Sequence, residues 1–175
     1  MASESRTPRI HESVYIATGA RISGDVVIKE GSSVWYNAVV RGDEGPIVIG
    51  KNTNIQDNVV LHSDLDIGIE IGDNCTIGHG AVVRGARICD HAMVGMNATV
   101  LTGAQIGSYS VVGANALVAH NRKFPERSLI AGVPARLQRK LTEEETGFNQ
   151  VAVDVYLDLV RRYSAGEFKE HPGSE

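Results

Sequence analysis

The chain has 175 residues and a formal net charge of −4, with 17 Lys and Arg against 21 Asp and Glu. It is 42% hydrophobic but only 5% aromatic, and it carries 19 Gly. That is enough chain for one domain with a core. The mix suits short strands and tight turns better than a helical bundle. Charges of both signs with no basic run exclude a nucleic-acid binder, and no apolar run reaches the length of a membrane span. The opening MASESRTPR lacks the apolar core of a secretory signal. Cys75 and Cys89 are too few for a disulfide framework. Together these features point to a cytoplasmic protein.

Residues 1–9 read as a loose polar leader. From Ile10 an aliphatic residue recurs every six positions, at Ile10, Ile16, Ile22, Ile28, Val34 and Val40. A Gly- and Pro-containing insertion, RGDEGPIV, follows before the beat resumes at Ile49, Ile55 and Leu61. A second insertion, SDLDIGIE, leads to Ile71, Ile77 and Val83. One short step then reaches Ile88, followed by Val94, Val100, Ile106, Val112 and Val118. Neither a helical period nor simple alternation produces this beat. A six-residue repeat with small or Gly residues between is the mark of a parallel β-helix, three units to a triangular coil. Adjacent coils then lie about 4.8 Å apart. Small residues four after each aliphatic, such as Ala20, Ala38, Cys75, Ala81 and Ala98, are expected to point inward, and Cys89 to be buried. Trp35 falls on an outward position and is a candidate interface residue.

After Val118 the repeat stops, and Pro125 and Pro134 mark loop and extended chain. Thr142 followed by Glu145 is a capping-box pattern that opens a helix. Val151, Ala152, Val155, Tyr156, Leu159, Val160 and Tyr163 read as one stripe that packs against the β-helix. Residues 164–175 read as frayed. The organisation expected is a leader over 1–9, a β-helix with its connecting segment over 10–140, and a helix and tail over 141–175.

Counting coils also places polar side chains. Val40, Leu61 and Val83 are three units apart, so the residues after them, Arg41, His62 and Arg84, stack in one column. Ile55 and Ile77 are likewise three units apart, so Asp57 and His79 stack on another face. Within one prism His79 cannot meet His62, but it can meet the His62 face of a second subunit. That geometry invites a metal site between subunits, since catalytic zinc commonly takes three protein ligands and one water. His62 and His79 are suitable ligands. Arg84 is not, because a guanidinium has no lone pair to offer. The same residues also admit plainer roles. Arg41 and Asp43 read as an ion pair at a turn, and Gln56 and Asp57 as side chains that satisfy backbone groups at a corner.

The segment SVWYNAVVRGDEGPIVIGKNTNIQDNVVLH, with the later IGDNCTIGHGAVVRGARI, VGMNATVLTGAQIG and SLIAGVPARLQRKL, resembles the γ-class carbonic anhydrase family over roughly residues 10 to 163. The hexapeptide beat is shared with acyltransferases. The combination of RGD, NIQDN, VLH and IGHGAVV at these spacings is more specific. The resemblance implies a left-handed parallel β-helix with a C-terminal α-helix and a homotrimer with zinc at each subunit interface. It implies that His62 and His79 are metal ligands and that Arg41 and Asp43 support the interface. It also implies that Gln56 and Asp57 act in catalysis beside the metal and its bound water or bicarbonate.

The resemblance fails at one place. The third ligand of the family is a His five residues after the IGH histidine, and here that residue is Arg84. Two imidazoles and a fixed cation make a poor site for zinc or another divalent metal. The expectation is therefore a trimer with weak or absent CO2 hydration, in which Arg84 is a candidate for binding an anion such as bicarbonate. His91 lies on the Ile88 face, away from both His columns. One alternative is an active zinc-dependent carbonic anhydrase. The other is a hexapeptide acyltransferase that uses His79 as a base on coenzyme A thioesters.

Overall fold

The structure, a computed structural model, describes residues 6–171. The six-residue beat becomes a parallel β-helix. Most units contribute a strand of two or three residues, ended by a turn that redirects the chain to the next face. One face is an eight-stranded sheet that includes Tyr15–Ile16, Ser33–Val34, Asn54–Ile55, Thr76–Ile77 and Met93–Val94, paired in parallel. The second and third faces belong to one continuous sheet, because two long strands, Arg21–Ile28 and Val39–Ile49, run through a corner without breaking. The first sequence insertion is thus part of a strand and not a loop. The second, around residues 63–68, is a turn closed by an Asp64–Ile67 bridge, with Leu65 70% exposed.

The expected phase holds, but the repeat does not stop at Val118: Lys123–Phe124 and Ser128–Gly132 pair in parallel with Gln105–Ile106 and Val111–Val112, and Phe124 and Ile130 are buried on the same six-residue beat. Val40, Leu61 and Val83 pair as Val40↔Leu61 and Leu61↔Val83, and none is exposed to solvent. Ile55 and Ile77 pair on the first face and are equally buried. Ala38, Cys75, Ala81 and Ala98 point inward, where only small side chains leave room for the aliphatics, and Ala20 is half-buried. Cys89 is half-buried where full burial was expected, since it follows inward Ile88 at a corner. Ile10 and Ile16 keep 36% and 43% exposure because they lie in the first coil, with no described coil beneath them. Corner residues adopt left-handed backbone angles, and Asn fills most of these places, among them Asn37, Asn52, Asn58, Asn74 and Asn97. Asn tolerates that conformation because its short polar side chain bonds locally.

At the C-terminal end, α1 (Glu143–Thr146) opens with the expected capping box. The Thr142 hydroxyl accepts from the Glu145 amide, and the Glu145 carboxylate accepts from the Thr142 amide. Helix α2 (Phe148–Ser164) follows and lies along the first face. Its contact surface differs from the expected stripe. Val153 and Asn149 are buried, while Val151 and Val155 are 63% and 51% exposed. At 100° per residue, 151 and 155 fall on the side of the helix opposite 149, 153, 156 and 160, so one helix could not seat the whole apolar set.

Trp35 is also relocated. It is only 3% exposed, enclosed by Tyr15, Tyr156 and Tyr163 with ring centroids 5.2–5.3 Å away. Its outward position is covered by the chain's own helix, so it marks a contact within the subunit. The tail continues this packing. Phe168 lies against Tyr163, and the Tyr36 hydroxyl donates to Glu170 at 2.9 Å, so residues 165–171 fold back where fraying was expected. The remaining expectations for the leader and tail, at residues 1–5 and 172–175, lie outside the described residues.

Two outcomes check this account. Leu61→Asp places an unpaired charge in a dry core, so the variant should be insoluble or lose its cooperative thermal transition; an unchanged melt would show the inward phase to be wrong. Glu145 is held at about 2 by the Arg139 guanidinium and the Thr142 amide. Its folded value lies below its unfolded one, so its contribution is present above pH ~4.5 and is lost as pH falls toward 2. Glu145→Gln should therefore melt below wild type at pH 7, and the gap should close near pH 2.

Candidate functional site

Register builds the site. Strands Val39–Ile49, Val60–His62 and Val82–Arg84 pair as Arg41↔His62 and His62↔Arg84, so these three side chains form one column. On the first face, strands Asn54–Ile55 and Thr76–Ile77 bring Asp57 beside His79. The chain thus makes the two groupings expected from the count, and it does not bring His62 and His79 together.

Around His79 the backbone is crowded. A Cβ at Gly78 would come within 2.9 Å of the Val94 carbonyl oxygen, and Gly80 has a φ of +69° with Asn97 Oδ1 2.3 Å from where its Cβ would sit. Both glycines are therefore fixed by space, which holds the imidazole at one point on the corner. The His79 amide donates to Gln56 Oε1 at 3.1 Å. Gln56, 6% exposed, donates onward to Asn54, which donates to Thr76. Gln56 is thus the anchor that positions His79. Asp57 Oδ2 lies 2.7 Å from His79 Nδ1. A carboxylate accepts only, so the network assigns the proton to Nδ1 and leaves the lone pair of the neutral ring on Nε2.

Tyr156, from α2, was missed by sequence reasoning. Its hydroxyl is 3.4 Å from His79 Nε2. Burial, with the Asp57 charge behind it, pushes this phenol up to about 12, so it stays protonated at neutral pH. The only hint in the sequence was its place on the apolar stripe. Which side of the helix it would face, and at what height along the prism, was set by docking.

In the other column, His62 Nε2 faces Asp43 at 3.2 Å and Glu44 at 3.9 Å. Asp43 is also bound by Arg41. Desolvation works against ionisation of Asp43, but the Arg41 bond, its backbone amide and His62 outweigh it and hold the carboxyl below its ordinary value. Arg84 does not converge on His62. Its guanidinium donates to Asp64 Oδ1 at 3.1 Å, and the Thr102 hydroxyl donates to Asp64 Oδ2 at 2.8 Å. Thr102 first, then the Leu65 amide and Arg84, keep the Asp64 carboxyl below the usual range against desolvation. The second insertion thus supplies the partner that turns Arg84 away. His91 stacks on Tyr109 with centroids 4.6 Å apart, remote from this chemistry.

The bacterial transferase hexapeptide family (six repeats) matches residues 85–120, and the hexapeptide repeat of succinyl-transferase matches residues 46–85. A Methanocaldococcus jannaschii protein named "Probable carbonic anhydrase" is 58% identical over 136 residues, covering 78% of this chain and 86% of that protein. Gamma carbonic anhydrase 2, mitochondrial, of Arabidopsis thaliana is 38% identical over 170 residues, which are 94% of this chain but 61% of that longer protein. The chain belongs to the γ-carbonic anhydrase-like family. Among solved structures, a hexapeptide transferase family protein from Anaplasma phagocytophilum superposes with a TM-score of 0.85 at 36% identity, covering 89% of this chain and 92% of that one.

Zinc is the metal this family implies. In this γ-carbonic anhydrase-like chain the donor set fits it only in part. His79 has one ring nitrogen on a carboxylate, as metal-ligating imidazoles commonly do, and the other faces the Tyr156 hydroxyl at 3.4 Å. His62 offers a second imidazole. Arg84, next to His62 in the column, is a guanidinium committed to Asp64. Among the described residues no three His, Cys, Asp or Glu side chains gather to hold a metal. The described residues of one subunit therefore do not build a three-ligand centre.

The Arg84–Asp64 pair makes its own prediction. Arg84→Ala should lower the melting temperature in wild type and have a smaller effect in an Asp64→Ala background, because the partner is then gone. Equal effects in both backgrounds would mean that the pair contributes nothing and that Arg84 is free for another ligand.

Proposed function

We propose that this chain acts as a γ-carbonic-anhydrase-like homotrimer whose inter-subunit metal site is weakened, so that it holds little zinc and hydrates CO2 slowly or not at all. The observation that carries this reading is Arg84: at the place where the family has a third imidazole, a permanent cation points to Asp64. With two protein imidazoles the shell needed to bring bound water to a pKa of about 7 is incomplete. On this reading Arg41 and Asp43 support the subunit interface, and Gln56 and Asp57 stand beside the site. An anion such as bicarbonate at Arg84 competes with the Asp64 carboxylate already in place.

Assembly is supported by the second face. Its outward column is Val39, Val60, Val82, Thr99 and Leu117, all half-buried, beside the Arg41–His62–Arg84 column. The third face carries Glu70, Arg87, Gln105 and Lys123 at the equivalent positions. A parallel sheet with an apolar outward column is suited to burial, and α2 lies on the first face. A trimer that buries the second face brings the His79 of one subunit to the His62 column of the next. Among the described residues no helix is long and apolar enough to cross a membrane.

Light scattering at micromolar concentration should return the mass of three chains; a monomer would sink the shared-site reading. Metal analysis of tag-free protein should find well under one zinc per subunit, with slow CO2 hydration, and Arg84→His should raise zinc occupancy. Tight stoichiometric zinc with rapid hydration in wild type would favour the active-enzyme alternative. The acyltransferase alternative, which the hexapeptide transferase neighbour keeps in view, requires saturable coenzyme A binding.

A further inference from the structure

The second insertion ends in a tip that holds one apolar side chain still. Leu65 and Asp66 form a two-residue turn between Asp64 and Ile67, whose backbones exchange two hydrogen bonds of 2.9 Å. The Asp64 carboxylate braces the turn. It accepts from the Leu65 amide at 3.1 Å, from the Thr102 hydroxyl at 2.8 Å and from Arg84 at 3.1 Å. Leu65 stands at the tip with 70% of its surface exposed, and Ile67 beside it keeps 43%. A lone exposed leucine means little, but this one is presented on a fixed turn three residues after His62. The complementary feature is a cavity of about 230 Å³ beside His79, lined by Met93, Met96, Ala152 and Tyr156 with Gln56 and His79 at its polar end. An apolar cavity of about 150 Å³ takes a benzene-sized group, so this one has room for a branched aliphatic side chain.

We propose that Leu65 of each subunit plugs the cavity beside His79 of the next, and that Arg84 is a positioning residue that holds the plug in place. The proposal rests on the trimeric reading above. Within one subunit the turn follows the second face while the cavity lies on the first face under α2, so the two do not meet. A trimer that sets the His62 column of one subunit against the His79 of the next also sets the turn of the one against the cavity of the other. The contact continues the apolar surface assigned to assembly, because the half-buried Val39, Val60 and Val82 column adjoins the strand that leads into the turn. Seating Leu65 among thioether, methyl and aromatic groups removes two exposed apolar surfaces from water at once, and an aliphatic anchor in a neighbour's pocket is the usual form of an interface hot spot. Arg84 acts through Asp64: its guanidinium fixes the carboxylate on which the turn closes. The plug fills the apolar side of the cavity and leaves only the Gln56 and His79 end open. The shared site then has room for a small molecule such as CO2 or bicarbonate and none for an acyl chain.

The test uses the full chain in a Cys89→Ser background, which removes the half-buried native thiol. Leu65→Cys combined with Met96→Cys puts one thiol on the turn and one at the cavity. A short bismaleimide should then convert the protein to covalent trimers in denaturing gels, while either cysteine alone should leave single chains. Leu65→Ala should raise the trimer dissociation constant about tenfold or more, read by light scattering across a dilution series. Its own subunit loses no contact, so circular dichroism should show an unchanged fold. Benzene should restore part of the lost melting temperature of Leu65→Ala by filling the vacated space, and should leave wild type unmoved. Arg84→Ala should weaken assembly by itself and have a smaller effect in the Leu65→Ala background, because the side chain it positions is then gone. A wild-type trimer without the crosslink, or one whose dissociation Leu65→Ala does not change, would overturn the plug and leave the trimer standing. An equal gain from benzene in wild type would show the cavity to be empty and would overturn it too. A monomeric wild type would defeat the trimeric reading and the plug together.

Discussion

Stacking of coil on coil governs everything in this molecule. Each strand donates and accepts its backbone hydrogen bonds with the strand one coil above and below, so each inward aliphatic must sit over another. Leu61 lies between Val40 and Val83 because no other register satisfies the ladder and keeps all three out of water. A slip of one residue would turn Leu61 outward and His62 inward. The same constraint that buries the core therefore lines up Arg41, His62 and Arg84, and sets Asp57 beside His79. The polar columns follow from the apolar ones.

That dependence explains what the sequence disclosed. Column membership is a matter of counting, and the count survived both insertions because each begins and ends in phase: Ile49 still pairs with Ile71, and His62 still pairs with Arg84. What counting could not reach is the direction of a long side chain once it leaves its column. The partner Arg84 takes, Asp64, belongs to an irregular turn with no periodicity to read. Trp35 was misplaced for a related reason. Its position is outward with respect to the prism, but the helix that covers it is docked by tertiary contacts between Tyr15, Tyr156 and Tyr163 that no local pattern announces. The helical stripe was too wide by Val151 and Val155 because apolarity alone does not mark which part of a helix is seated.

The charge of Arg84 is met locally. Asp64 is fixed by three donors, Thr102, Leu65 and Arg84, so the guanidinium joins an existing anion site within the chain. The pair is partly exposed, and exposed pairs contribute little to stability. Its effect is chiefly directional: it keeps a cation off the His62 ring and leaves that ring facing Asp43 and Glu44. His62 and His79 thus reside in different electrostatic settings. His62 sits between carboxylates on a face suited to assembly. His79 sits against a helix, with its second nitrogen already oriented.

Helix α2 is what separates these two fates. By covering the first face it removes the Trp35 cluster from water and carries Tyr156 to within 3.4 Å of His79 Nε2. An imidazole oriented by a carboxylate can serve either as a metal ligand or as a base, and the choice depends on what else reaches the free nitrogen. A third imidazole from the His62 column would favour metal. In this chain that column presents Arg84, paired elsewhere, while the helix presents a protonated phenol and an apolar cavity. The helix therefore decides what meets the positioned imidazole within the subunit, a protonated phenol at 3.4 Å, while His62 and Arg84 stand in a column on another face.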